Sequence, residues 1–437
     1  MKKIGKRGLP LVIAAGWMCA GALHAQDVDF GLSIGAYHSD NIRRTGLAEE
    51  SQTVGELGMR LGWKREAGRL NANVNADLAY REYFDDAYDS DLQGGFDGAL
   101  TYWFLPERLS WTFQDNYARA LIDPRNVDTP DNQQNANYFT TGPDLRLAVG
   151  DRTSVLIGGR WSDAYFEEAT AAGNQRLTGT LGVERRLNER STLSLNGTAE
   201  RVEFDEDALS SDYDRQSAYV QYATQGARTT LSLRAGGSAL HDFGDTTQGP
   251  LVDLAIGRQI TARSTLTVNA GTELTDSAEA MRREQSIGGV GLEGGNPIVS
   301  NDQFQSDYLS IAWALAGART TLNLAANVRS EDYERDATLN RDSIGATGTL
   351  VRRLGARLSW RVFGGWTTQD FNRSDVKFDE WNVGTGFDWL LTETVGVVVT
   401  GERFEGSGDS LGGGNGRDYT ENRVTVRLTY TPRRAAR

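Results

Sequence analysis

The chain has 437 residues, with 59 acidic against 46 basic side chains, 50 glycines, eight prolines and one cysteine. Such an acidic excess makes a poor partner for nucleic acid. No stretch beyond the N-terminus reaches the roughly 18 apolar residues of a membrane-crossing helix, which leaves open a barrel, whose strands show lipid only every second side chain.

The first predicted element in chain order is a targeting segment over 1–25. Lys2, Lys3, Lys6 and Arg7 form its basic start, 9–23 its apolar stretch and Ala-Leu-His-Ala its end, so cleavage is expected between Ala25 and Gln26. Cys19, the one cysteine, leaves with it. The mature chain, 26–437, then has no disulfide, and closure of a sheet must supply its stability. A single domain is expected. Its first strand, 29–37, follows so closely that no N-terminal plug or soluble periplasmic domain is expected.

From there the sequence alternates with period two. Over 70–81, Leu70, Ala72, Val74, Ala76, Leu78 and Tyr80 share one face and Asn71, Asn73, Asn75, Asp77 and Arg81 the other, as successive strand side chains must. The segment is close to the roughly 9–11 residues of a tilted membrane-spanning strand. Leu57, Met59, Leu61 and Trp63 repeat the pattern, then Leu109, Trp111, Phe113 and Tyr117, and finally Val424, Val426, Leu428 and Tyr430.

Short turns of one type recur. Glu107-Arg108-Leu109-Ser110-Trp111, Asp151-Arg152-Thr153-Ser154-Val155 and Ala227-Arg228-Thr229-Thr230-Leu231 are three of seven, and looser versions lie near Gly68 and Glu393. Long polar connections alternate with them, near 39–52, 84–91, 122–135, 167–174, 205–214, 241–249, 275–303, 331–341, 370–378 and 404–418. The count gives about twenty strands, or about eighteen if one hairpin is miscounted. Short turns on one side and long loops on the other predict an all-β fold: one transmembrane antiparallel up-and-down barrel of the bacterial outer membrane, both termini periplasmic. A soluble propeller or β-helix would carry polar outer faces. Here aromatics cluster at strand ends, as in Tyr102, Trp103 and Phe104 or Trp381, Phe387 and Trp389, like the girdles of such barrels.

The inward faces are the candidate functional surface. They offer Asn71, Asn73, Asn75, Asp77, Arg81, Arg160, Asn196, Asn323, Asn327, Arg329, Arg357 and Arg361, with many Thr and Ser. With roughly sixteen or more strands the interior is too wide for side chains to fill and holds water. These groups can hydrogen-bond the hydroxyls and carboxylates of a sugar chain, and equally serve a water-filled lumen with no ligand. The mature chain keeps two histidines, His38 and His241, both beside loops. No catalytic residue, metal site or cofactor is expected, and the protein reads as no enzyme. The run 85–91 echoes a calcium loop but lacks the glycine and closing glutamate of an EF-hand. With 205–207 it reads as solvated loop charge. The glycines at 288–295 and 412–416 read as loop tips, and 275–303 is the natural candidate for a constriction.

Tyr37-His38-Ser39-Asp40-Asn41-Ile42 resembles the opening of a family of β-barrel porins encoded beside exopolysaccharide-export and exosortase gene clusters. Thr129-Pro130-Asp131-Asn132 with Asn135, Asn137, Tyr138, Thr141, Gly142 and Pro143 is similar to that family, as is Val202-Glu203-Phe204-Asp205 with Asp212-Tyr213-Asp214-Arg215. The resemblance implies an outer-membrane barrel tied to secretion of a surface polysaccharide, and no catalytic residues. One departure concerns the C-terminus, where Tyr430 is expected to take the terminal-strand role with 431–437 hanging in the periplasm. The expected function is thus a porin-like passive conduit for exopolysaccharide export; the alternative is a surface scaffold or adhesin acting through its loops. Expected partners are outer-membrane lipid and lipopolysaccharide, the polysaccharide and a periplasmic export protein.

Overall fold

A computed structural model describes residues 28–206, 212–242, 244–286, 298–374, 376–408 and 418–432. The expected leader and its cleavage site, and the two glycine-rich tips, lie outside the described residues. The first ten strands are β1 (Val28–Ser39), β2 (Gln52–Ala67), β3 (Leu70–Tyr83), β4 (Asp91–Leu105), β5 (Leu109–Leu121), β6 (Gln133–Ala148), β7 (Thr153–Phe166), β8 (Asn174–Arg186), β9 (Ser191–Phe204) and β10 (Tyr213–Gln225). The second ten are β11 (Thr229–Asp242), β12 (Asp245–Thr261), β13 (Ser264–Asp276), β14 (Gln303–Ala316), β15 (Thr320–Tyr333), β16 (Arg341–Arg353), β17 (Leu358–Phe371), β18 (Val376–Leu390), β19 (Val395–Gly408) and β20 (Tyr419–Tyr430). Among the described residues one α-helix, α1 (Ser277–Ser286), lies between β13 and β14.

All 20 strands form one antiparallel sheet, each paired with its neighbours in sequence. The sheet closes where β1 lies against β20, from Leu32 opposite Tyr430 to Ser39 opposite Arg423. The up-and-down barrel expected from the alternation is therefore present, with its count of twenty. All the predicted short turns occur. Two predicted long loops shrink. β11 runs to Asp242 and β12 starts at Asp245, with Gly244 at φ 93° in the tight turn. Thr246 and Thr247 extend this hairpin because β-branched side chains suit a strand; its polar tip only mimics a loop. In the same way β17 and β18 continue to Phe371 and from Val376.

The register separates two faces. Leu57 pairs with Tyr80, Met59 with Leu78 and Trp63 with Val74, and Tyr102 with Trp111. This row points outward and leaves large apolar side chains exposed, such as Leu57 at 58% and Trp389 at 56%. Trp63, Tyr102, Phe104, Trp111, Trp360 and Trp389 stand near the short turns; Tyr80, Trp161, Tyr165, Trp366 and Trp381 stand nearer the loops. The indole N–H groups of Trp111 and Trp360 donate to Thr141 at 2.7 Å and Thr385 at 2.9 Å, so these rings meet lipid without an orphaned donor. Trp103, between Tyr102 and Phe104, faces the lumen instead. A closed barrel with an apolar outer band between two aromatic girdles is how a β-protein spans the bacterial outer membrane, and this chain is such a barrel. Twenty strands fall between the roughly 16–18 that leave an aqueous channel and the roughly 22 whose lumen is plugged.

Candidate functional site

The polar row of each strand lines the lumen. On β3 the register alternates Asn71, Asn73, Asn75 and Asp77 with the outward apolar side chains, and all four are exposed within the barrel. Arg81 stands above them and bonds Glu56 of β2, which also accepts Arg427 of β20 at 2.6 Å. Asp77 accepts Arg60 at 2.9 Å. Arg160 of β7 donates to Asp144 at 2.6 Å and to the Pro143 carbonyl at 3.1 Å. Arg361 of β17 reaches Asp388 of β18 at 3.0 Å, and Arg234 of β11 reaches Asp253 of β12 at 2.9 Å. Asn196 of β9 donates to Ser194 at 2.8 Å. Asn323, Asn327 and Arg329 share the lumen row of β15, where Arg329 lies 3.5 Å from Glu331. Arg357 departs from the expected set. It sits in the short turn between β16 and β17, exposed at the end of the barrel, because the strand stops at Arg353.

These wall charges thus come in pairs around the circumference, most of them set across neighbouring strands. An ion pair's field falls off faster than that of a single charge, and salt screens what is left over about 8 Å. The described lumen wall is polar and close to charge-neutral.

The mouth on the loop side is built differently. Tyr83, Tyr138, Phe166, Phe204, Tyr213, Phe304, Tyr333, Phe371, Phe378 and Phe404 all point inward there and are buried. These aromatics sit in the polar register of their strands, which sequence reasoning missed. The signal was present in Glu82-Tyr83, Tyr165-Phe166, Glu203-Phe204, Asp332-Tyr333 and Asp370-Phe371, where an aromatic repeatedly occupies the lumen position just before a loop.

Six of these rings, Tyr138, Phe166, Phe304, Tyr333, Phe371 and Phe378, lie in clusters that α1 joins. Ala278 and Met281 pack with Ala136, Tyr138, Ala164 and Phe166 of β6 and β7. Ala280 and Ile298 pack with Phe304, Tyr333, Phe371 and Phe378 of β14, β15, β17 and β18. The helix therefore crosses the mouth between wall segments far apart on the barrel. Of the segment 275–303 expected as a constriction, 287–297 lie outside the described residues. The strands prepare the crossing. β12 pairs with β13 only as far as Val252 opposite Thr272, whereas β13 and β14 stay paired to Asp276 opposite Gln303. The β13–β14 arm leaves the wall at its tip and leans inward, so that Leu274 joins Val202, Phe204, Tyr213 and Leu240.

Asp276 pins the arm. Its carboxylate accepts Arg176 at 2.8 and 2.5 Å and the Tyr213 hydroxyl at 2.6 Å. It also accepts the backbone N–H groups of Ala278 at 3.0 Å and Glu279 at 3.2 Å, capping the helix N-terminus as a short acidic side chain does. Arg215 ties the Leu274 carbonyl at 3.1 Å to Glu200 at 2.7 Å. Burial opposes ionisation of Glu279 on α1, but Arg282 outweighs it and holds the carboxyl below the usual carboxylate range.

The three sequence motifs that carry the family resemblance all begin at this mouth, the second running down β6 to Pro143, opposite Trp111. Asp40 accepts the Asn422 backbone N–H and side-chain amide, both at 2.7 Å, and Ser39 donates to Glu421 at 2.7 Å, so the first motif staples the β1–β20 seam. Arg44, just beyond it, turns inward to Glu421 at 3.0 Å and the Asp128 carbonyl at 3.0 Å and lies over the Phe404 ring. In the second motif Asn132 holds its loop through the carbonyls of Asp123 at 2.9 Å and Val127 at 3.1 Å. The third supplies Val202, Phe204, Tyr213 and Arg215 to the cluster and network around Asp276. His38 and His241 each contact a threonine hydroxyl on the paired strand, Thr53 at 3.1 Å and Thr246 at 2.9 Å. Among the described residues no group of three His, Cys, Asp or Glu could hold a metal ion.

Compared with known proteins, the chain matches no protein-family model and no curated protein sequence. Solved structures resemble its fold. A mutant ferric enterobactin receptor (PfeA) of Pseudomonas aeruginosa gives a TM-score of 0.45 at 11% identity, over 93% of this chain and 80% of that one. The siderophore receptor PirA of Acinetobacter baumannii gives 0.44 at 8% identity, over 92% and 80%. OccK2 (OpdF) of Pseudomonas aeruginosa gives 0.36 at 12% identity, over 93% and 98%. The chain is a porin-like outer-membrane barrel by its own geometry, whatever its neighbours carry.

Proposed function

We propose that the barrel is a passive conduit through which a hydroxyl-rich surface exopolysaccharide crosses the outer membrane, entering from the periplasm and leaving past α1. The observation that carries this reading is the lumen wall: exposed amides at Asn71, Asn73, Asn75 and Asn323 offer donors and acceptors to hydroxyls, while paired charges leave a passing chain no strongly binding point. The resemblance of the mouth motifs to barrels of exopolysaccharide export supplies the cargo. A periplasmic export protein would hand the polymer to the barrel. The scaffold or adhesin reading draws less support, because Arg44 and α1 turn into the barrel rather than out of it. Deleting the gene and measuring extracellular and periplasmic polysaccharide tests the proposal. Polymer retained in the periplasm, and released again by the wild-type gene, is the expected result; unchanged secretion without the barrel contradicts it.

A further inference from the structure

Eight of the nine short turns carry an arginine at an equivalent place: Arg69, Arg108, Arg152, Arg190, Arg228, Arg263, Arg319 and Arg357. In each the backbone carbonyl accepts an N–H from the end of a nearby strand, as when Arg69 accepts Trp103 at 2.7 Å, Arg228 accepts Gln259 at 2.8 Å and Arg357 accepts Leu390 at 2.8 Å. The ninth turn makes the same bond with Thr394, which accepts Thr431 at 2.8 Å. Any residue can supply that carbonyl, so the fold does not call for arginine. All eight side chains are exposed.

Four more arginines continue the ring on the lipid-facing side. By register Arg65, Arg185, Arg258 and Arg352 belong to the outward rows at the short-turn end, Arg352 directly opposite Trp360 of the girdle. They point away from the lumen and cannot meet cargo inside it. In the turns before β11, β13, β15 and β17 the arginine follows Ala instead of an acidic residue, so this arc carries positive charge with none of the opposite sign beside it. The loop end is acidic, with Asp85, Asp86 and Asp89 and with Asp205 and Glu206. Twelve of the 46 basic residues of an acidic protein thus stand on this one rim.

We propose that this rim is a collar for anionic phospholipid headgroups in the periplasm-facing leaflet. Arginine suits the role, since its stem can lie along the apolar girdle while its head reaches phosphate, with which its planar fork pairs. Basic residues next to an anionic leaflet each add attraction that salt screens. The distribution around the whole circumference fits a surrounding leaflet better than a protein docked on one side.

The test is unfolding by urea of the full barrel, folded into vesicles of phosphatidylcholine alone or with added phosphatidylglycerol, at low and high salt. Wild type is compared with Arg228→Gln/Arg263→Gln/Arg319→Gln/Arg357→Gln and with the matching four-lysine variant, each checked for folding by heat-modifiable gel mobility. The collar predicts a higher urea midpoint in phosphatidylglycerol for wild type, lost at high salt, mostly lost in the glutamine variant and largely kept in the lysine variant. Equal midpoints in the two lipids for wild type, or the same lipid dependence in the glutamine variant, would overturn it. So would a glutamine variant that keeps the lipid dependence but no longer retains an acidic periplasmic protein, which would make the rim a protein interface.

Discussion

Asp276 performs three tasks with one carboxylate: it pairs with Arg176, accepts Tyr213 and caps α1. Removing one partner of a buried pair costs about 3–5 kcal/mol because the other charge is stranded, so Arg176→Gln is expected to free the arm while the strands stay paired. Faster amide exchange in α1 together with longer channel openings is the expected result, and unchanged exchange would deny Asp276 the pinning role. Glu279 adds a pH dependence. Its folded pKa lies below its unfolded one, so its contribution is present above the usual carboxylate range and fades as pH falls through the lower, folded value. Open probability should therefore rise on acidification below about pH 4, and less so in Glu279→Gln. At Gly142 the constraint is steric, since an added Cβ would meet the Gly159 carbonyl oxygen at 2.0 Å; Gly142→Val should lower the yield of folded, heat-modifiable barrel severalfold.

The helix α1 and the β1–β20 seam make the mouth what it is. Met281 seats α1 against β6 and β7, and burying such a side chain contributes roughly 1.5–3 kcal/mol. Met281→Asp should undock the helix without touching the sheet, seen as new protease cleavage near α1 and no change in the urea midpoint of the barrel. The strands themselves were largely legible, because a period of two survives wherever one face meets lipid, as over 70–81. The mouth was not. Tyr138, Phe166 and Phe371 lie in the polar register, and they pack in clusters with α1, which arrives from a distant part of the chain and which no local pattern records. Polar tips such as Thr246 and Thr247 read as loops because above the membrane neither face of a hairpin needs to be apolar. Arg357 reads as lumen-facing from sequence, although it lies in the turn between the end of β16 and the start of β17.

Taken whole, the barrel joins a wide, charge-balanced lumen to a mouth crossed by a docked helix and a rim of arginines at the other end. The wall pairs predict weak discrimination between small cations and anions. Arg361→Gln, which leaves Asp388 unpaired, should shift the pore toward cations, read as a reversal potential in a salt gradient. The most direct test of the central claim is single-channel recording in planar bilayers of the intact protein beside a variant whose 277–302 is replaced by a short Gly-Ser link between the paired residues Asp276 and Gln303. Small or brief openings of the intact barrel and a severalfold larger, steady conductance of the variant are the results predicted here. Equal conductance of the two would remove α1 as the constriction, and no conductance from the folded variant would contradict a water-filled conduit altogether.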